Sequence, residues 1–237
     1  DAYWPEIYWN QSMVTVPDPN PYDDTPSPKI FQNVSPLDPR VFASIAECAD
    51  DLLADRGNAK YSPVEVAGWL EDRAGAARRA LAQAGTPQTV DFLRLAIDSD
   101  MQAGLGLFFA AKLRSGVLCA LFDRTGDREA LLQSLALYRK ARGYWAGVVE
   151  RASGVYGADL SVSDRFSERG SWQDRLAIID ADIAALQARL AGASPSTNPG
   201  IAAARDGARA HASARTQSSG HTPPAAFHSG QAVSLSI

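Results

Sequence analysis

Three polar residues near the middle of the chain lie at the start of a long apolar stretch. Asp98 and Asp100 precede the segment Met101 to Ala111, which contains no charged residue, and Gln102 lies near its start. Asp98 and Gln102 are four residues apart and share a helical face, and Arg94 is near enough to pair with Asp98. A buried carboxylate needs such partners. Two interpretations are open: a polar network that links helices, or a carboxylate at the floor of a cleft.

A second group of candidate residues stands at the start of the chain and combines aromatic rings with polar groups: Trp4, Glu6, Tyr8, Trp9 and Asn10. In an extended segment, alternate residues point to the same side, so Trp4, Glu6 and Tyr8 project together. Rings beside a carboxylate or an amide suit a sugar, because a sugar ring has apolar C–H faces and hydroxyl edges. The alternative is that these rings pack onto the rest of the protein.

Motifs for other kinds of chemistry are absent from the sequence, which has no Walker loop and no HExxH, CxxC or GxSxG pattern. The glycines of Ala103–Phe108 fall inside a predicted helix, where they permit close packing and do not form a phosphate loop. The three histidines lie in the C-terminal part, where nothing holds them at metal-ligand geometry: His211, His221 and His228. Neither a metal nor a cofactor is expected.

Composition narrows the possible classes of protein. A chain of 237 residues with 46% hydrophobic residues is typical of one large or two small globular domains. The net charge of −4 disfavours a nucleic-acid partner. The longest strongly apolar run is shorter than the ~20 residues of a membrane span, so no membrane partner is expected. Cys48 and Cys119 stand among apolar neighbours and are predicted to be buried thiols.

Hydrophobic periodicity predicts a mainly α fold, a five-helix bundle with an irregular aromatic and proline-rich N-terminal segment and a disordered C-terminal tail. The helices are predicted at 39–56, 63–84, 87–122, 128–152 and 172–190. Their predicted starts are set by capping residues, namely Asp38, Ser62 with Glu65, Thr86, Asp127 and Ser171. The third helix is expected to be the most buried, because apolar or small residues cover every side of it.

The predicted organisation has three parts. Residues 1–37 form an extended aromatic and proline-rich segment, and residues 38–190 form the bundle. Residues 191–237 form a flexible linker or tail with few large apolar residues, which leads to a missing β domain. The chain begins at Asp1 and ends in the alternating pattern GQAVSLSI, so we expect it to be a segment of a longer polypeptide or the product of a truncated reading frame.

Several segments together carry a family resemblance: EIYWN, DTPSPKIFQNVSPLDP, YSPVEVAGWLED, GDREALLQSLALYRKARGYW, SGVYGADL and WQDRLAIIDADIAAL. From Asp1 to about Leu190 the chain resembles the helical domain of large multidomain bacterial glycoside hydrolases of α-glucuronidase-like or hexosaminidase-like architecture. The resemblance implies a secreted or periplasmic enzyme that degrades polysaccharide. It also implies that the helical domain follows a (β/α)8 barrel and precedes a β-sandwich.

The resembling motifs are structural, and no catalytic carboxyl pair can be carried onto this sequence. Glycoside hydrolysis needs two carboxyl groups about 5–10 Å apart across one sugar site. The resemblance therefore implies that this chain is inactive by itself. Its expected partners are a polysaccharide or oligosaccharide and the adjoining domains of the same polypeptide.

Three functional hypotheses follow. The first is a non-catalytic helical module of a carbohydrate-active enzyme. The second is a helical protein-interaction or scaffold domain, against which stands the lack of a fixed 34-residue repeat. The third is an independent enzyme that uses Asp98 or Asp100, against which stands the lack of a nucleophile and a base in one motif.

Overall fold

The computed structural model describes residues 41–157, 159–160 and 170–210, and this part of the chain folds as a helical bundle. The mainly α fold is thereby confirmed, with six α-helices and no strand among the described residues. In chain order the helices are α1 (Ile45–Leu53), α2 (Pro63–Ala84), α3 (Val90–Thr125), α4 (Arg128–Ala152), α5 (Asp174–Arg189) and α6 (Ile201–Arg209).

Helix α3 is the centre of the bundle. It is 36 residues long, which corresponds to about 54 Å, and every residue from Ala110 to Leu121 is buried. Its largest interfaces are with α4 and α2, and α1 and α6 also pack against it. The prediction that the third helix is the most buried is therefore confirmed.

The core has two parts that meet on α3. One lies between α3, α4 and α5 and includes the rings of Phe108 and Trp145, whose centroids are 5.0 Å apart. The other lies between α1, α2, α3 and α6. At Gly104 the backbone of α3 comes so near α4 that an added Cβ would lie 2.8 Å from Val148 Cγ2. This glycine permits close helix packing, as the sequence predicts.

The predicted boundaries hold where a cap and a periodic pattern agree. Helix α2 begins at Pro63 behind the Ser62–Glu65 capping box, and α4 spans Arg128–Ala152 behind the Asp127 cap. The end of α3, by contrast, was predicted near Phe122 and lies three residues later, at Thr125. Gly126 is its C-cap, with a φ of 71° in the left-handed region, and the Gly126 N–H donates to the carbonyl of Phe122 at 2.7 Å.

Other boundaries were predicted wrongly. The first helix begins at Ile45 and not at Pro39, because Ser44 and Glu47 form a second capping box. The residues just before Ser44 are extended and bond to Tyr61, whose carbonyl accepts from Ala43 N at 2.8 Å. Thr89 caps α3, so the helix begins three residues after the predicted Pro87. The fifth helix likewise begins at Asp174, two residues late.

The predicted count of five helices was wrong, since α6 lies in the range expected to be a flexible linker. Ile201, Ala204 and Ala208 are buried against α1 and α3. Small residues suffice here because they permit close approach, and an added Cβ at Gly207 would lie 2.6 Å from Leu52 Cδ2. Residues 211–237 of the predicted tail lie outside the described part.

Polar contacts fix α6 at its middle and at its C-terminal end. The guanidinium of Arg205 donates to Asp127, the N-cap of α4, at 2.5 Å. Arg114, a buried residue of α3, donates to the carbonyl of Ala210 at 2.6 Å and to Glu71 of α2 at 2.9 Å. The end of α6 is thus joined to α2 and α3.

Among the described helices, α3 is long and apolar enough to cross a membrane by length and composition. In the bundle, most of its apolar stretch is buried. The core helix of a globular protein has this same composition, because its surface faces other helices on all sides.

Replacing a side chain at the centre of this core tests the role of α3. Phe108 is fully buried, so Phe108→Ala should lower the free energy of unfolding by about 3–5 kcal/mol in a urea titration. Leu95, on the same helix, is 62% exposed, and Leu95→Ala should change it by less than about 0.5 kcal/mol. Equal losses in the two variants would show that α3 is not the core helix.

Candidate functional site

Asp98 and Gln102 line a cleft between α2 and α3, which we call the α2–α3 cleft. Its volume is about 580 Å³, within the roughly 300–1,000 Å³ of small-molecule sites. Most of the lining is apolar, and its polar residues are Arg73 of α2 and Asp98, Ser99 and Gln102 of α3. The lining residues are Leu70, Arg73, Ala74, Ala77, Leu95, Asp98, Ser99, Gln102, Ala103, Leu105, Gly106 and Phe109.

Asp98 is held from the side of α4. The hydroxyl of Tyr156, which follows α4, donates a hydrogen bond to Asp98 Oδ1. This bond, helped by burial and by the charge of Asp98, raises the pKa of Tyr156 to about 12. The Tyr156 ring packs edge-on against Trp172, with 5.4 Å between centroids. Arg94, the partner expected for Asp98, pairs instead with Asp91 at 3.9 Å.

Asp100 faces a different groove, of about 370 Å³, near the turn between α2 and α3. Its carboxylate accepts from Arg78 Nε of α2 at 3.1 Å and from Arg151 Nε of α4 at 2.7 Å. One side chain thus connects three helices, as the polar-network interpretation expects for this residue.

The two carboxylates therefore do not form a pair across one substrate site. Asp98 lines the α2–α3 cleft and Asp100 lines the other groove, because residues two apart on a helix point to different sides. Within the described ranges, no cluster of three or more His, Cys, Asp and Glu residues could hold a metal ion.

The two cysteines are buried thiols, which confirms that prediction. Burial raises the pKa of Cys119 to about 12. The guanidinium of Arg189, at the end of α5, lies 3.3 Å from its sulfur. A thiol with this pKa is almost entirely protonated near neutral pH and is a poor nucleophile.

Sequence reasoning missed one group of polar residues in the core, formed by Lys112 of α3, Tyr138 of α4 and Asp182 of α5. Tyr138 donates to Asp182 Oδ2 at 2.9 Å, and Lys112 is 0% exposed. Spacing could have revealed Asp182, because it lies three residues after Ile179 and four before Leu186, on the same apolar stripe.

The candidate sugar-binding residues Trp4, Glu6, Tyr8, Trp9 and Asn10 all lie outside the described residues.

Comparisons of the chain with protein-family models, with curated proteins and with solved structures find no match.

The structural role of Asp100 is testable by a neutral substitution. Asp100→Asn should lower the free energy of unfolding by about 1 kcal/mol at low ionic strength, and by less at high salt, because the lost ion pairs are partly exposed. Asp55→Asn removes the same charge from an exposed residue that follows α1, where Asn tolerates the positive φ, and should change the free energy of unfolding by less than about 0.5 kcal/mol. Urea titrations at low and high salt measure both, and equal effects would argue against the network.

The thiols give a second test. Both should react with a disulfide reagent at pH 8 at least 100-fold more slowly in the native chain than in urea, because each must first be exposed by an opening of the structure. Fast modification of either cysteine without denaturant would contradict the burial that we describe.

Proposed function

We propose that the chain is a non-catalytic helical module of a secreted glycoside hydrolase, and that its opening segment borders the carbohydrate site of the complete enzyme. The observation that supports a non-catalytic role is the placement of Asp98 and Asp100. They face different grooves, and other side chains already engage both of them. Hydrolysis would need a second carboxyl group across the same site, which we expect an adjoining domain to supply.

The carbohydrate part of the proposal rests on the opening segment and on the resemblance. Two Trp and two Tyr fall between Tyr3 and Trp9, which is more aromatic surface than a loop needs for anchoring. Glu6 and Asn10 supply hydrogen-bonding groups beside these rings, as orienting polar groups do in a mostly apolar pocket. The bundle would then serve as a rigid support for this segment.

A helical interaction or scaffold domain is the second candidate, and the α2–α3 cleft favours it. The cleft is mainly apolar, and Leu95 at its edge is 62% exposed. An exposed apolar surface of this kind fits contact with an adjoining domain of the same polypeptide. The two candidates differ in the residues needed for binding, which are Trp4 and Trp9 for a sugar and Leu95 for a protein surface.

Affinity electrophoresis and calorimetry of the 237-residue chain with plant and bacterial polysaccharides test the first candidate. We expect binding without hydrolysis of aryl glycosides, and Trp4→Ala and Trp9→Ala should each weaken binding by tenfold or more, about 1.4 kcal/mol. Tyr22→Ala and Phe31→Ala are matched controls, because they remove rings from the same part of the chain outside the proposed site.

Unchanged thermal unfolding of the Trp variants is needed for this conclusion. If both variants lose stability and the folded fraction keeps its affinity, the rings serve packing and the sugar proposal is wrong. If the chain by itself hydrolyses a glycoside and Asp98→Asn removes this activity, the chain is an enzyme and the non-catalytic proposal is wrong.

A further inference from the structure

A lysine in the core of the bundle has no contact with solvent. Lys112 is 0% exposed, and its Nζ lies 5.8 Å from the centroid of the Phe108 ring and 5.7 Å from that of Tyr138. The faces of these rings attract an ammonium group. They do not replace the hydration that a charged amine has in water.

An acidic group lies near this amine and interacts with its charge. Asp182 is 5% exposed, and its carboxylate accepts the hydrogen bond of the Tyr138 hydroxyl at 2.9 Å. Helices α3, α4 and α5 each contribute one member of this group, which we call the core polar cluster: Lys112, Tyr138 and Asp182. The cluster lies where α5 meets the rest of the bundle.

Helix α5 lies at the edge of the bundle and packs mainly against α4. Its inner face is completed by Ile179 and Leu186. Partly exposed polar contacts flank that face, with Arg142 donating to Asp180 at 2.9 Å and Arg139 to Gln187 at 2.8 Å. An edge helix with one main neighbour is the kind of element that opens without unfolding of the whole domain.

We propose that the core polar cluster makes the attachment of α5 to the bundle sensitive to pH, so that α5 opens more readily when the buried amine of Lys112 carries a proton. The charged groups around this amine support that assignment. Asp182 faces it from α5 and Tyr138 from α4. Arg175 of α5 is also buried, seven residues before Asp182 on the same side of that helix. Arg114 of α3 is engaged by Glu71 of α2.

The direction follows from proton linkage. Burial lowers the pKa of Lys112 to about 7, and the charge of Asp182 opposes this shift. When α5 opens, the amine regains water and its ordinary pKa of 10.5. Opening therefore takes up a proton between about pH 7 and 10.5, so α5 becomes harder to open as the pH rises through this range. Below about pH 7 the amine is charged in both the closed and the open state, so Lys112 causes no further change in the opening of α5 with pH.

The two cysteines report on different parts of the bundle. Cys119 lies next to Arg189 of α5, and Cys48 lies in α1. Labelling each thiol at several pH values, and correcting for the reactivity of a short peptide, gives an opening constant for each region. Cys48→Ala and Cys119→Ala backgrounds separate the two signals.

We expect the opening constant at Cys119 to fall by at least tenfold between pH 7.5 and 9.5, with a limiting slope of about tenfold per pH unit. The constant at Cys48 should change far less. Lys112→Met should abolish the pH dependence of the opening constant at Cys119. Lys140→Met, which removes an exposed lysine whose Nζ lies 5.8 Å from the Tyr144 ring on α4, should keep it.

A second variant keeps the proposal testable if Lys112→Met does not fold. Asp182→Asn retains an acceptor for Tyr138 and removes the charge that favours the protonated amine. The lower edge of the pH-dependent range should therefore move below pH 7. A pH-independent opening constant at Cys119 in the unchanged protein would overturn the proposal. A pH dependence at Cys119 that persists in Lys112→Met, or an equal change at Cys48, would also overturn it.

Discussion

The bundle depends on the burial of α3 over most of its C-terminal half. A helix that is buried on every side from Ala110 to Leu121 has no surface of its own for water, so other helices must surround it. Helices α1, α2, α4 and α6 do so in the described part of the chain, and α5 packs onto α4. Because the surrounding helices are amphipathic, their polar faces form the surface of the protein.

Polar residues of α3 then determine how the neighbouring helices are placed. Ser115 donates to the carbonyl of Ser134 in α4 at 2.7 Å, and Arg114 bonds to Glu71 in α2. Each buried polar group needs a partner at a defined position, since an unmet donor or acceptor in a core costs about 1–3 kcal/mol. Apolar contacts alone would permit several rotations of a helix, whereas these bonds favour one of them.

The sequence predicted the helices whose caps and apolar stripes agree, such as α2 and α4. Prediction from the sequence failed where a helix is held in place by contacts between residues that are far apart in the chain. Helix α6 has few large apolar residues and is held through Arg114 and Asp127, which no local pattern reveals. The candidate residues on α3 were identified from their residue types. Because Asp98 and Asp100 are two residues apart on one helix, they point to different sides of α3 and line different grooves. Lys112 and Asp182 were missed because, in the local pattern, a charged residue within an apolar stripe looks like a break in the stripe and not like a buried group.

The contact between α1 and α6 has a consequence for how the chain folds. These are the first and the last helices of the described part, yet they pack against each other and against α3. Bringing them together closes a loop of more than a hundred residues, and the entropy lost in closing such a loop delays its formation. Contacts within α2, α3 and α4, which follow one another in the chain, form across short separations. We therefore expect the contact between α1 and α6 to form after the contacts among α2, α3 and α4.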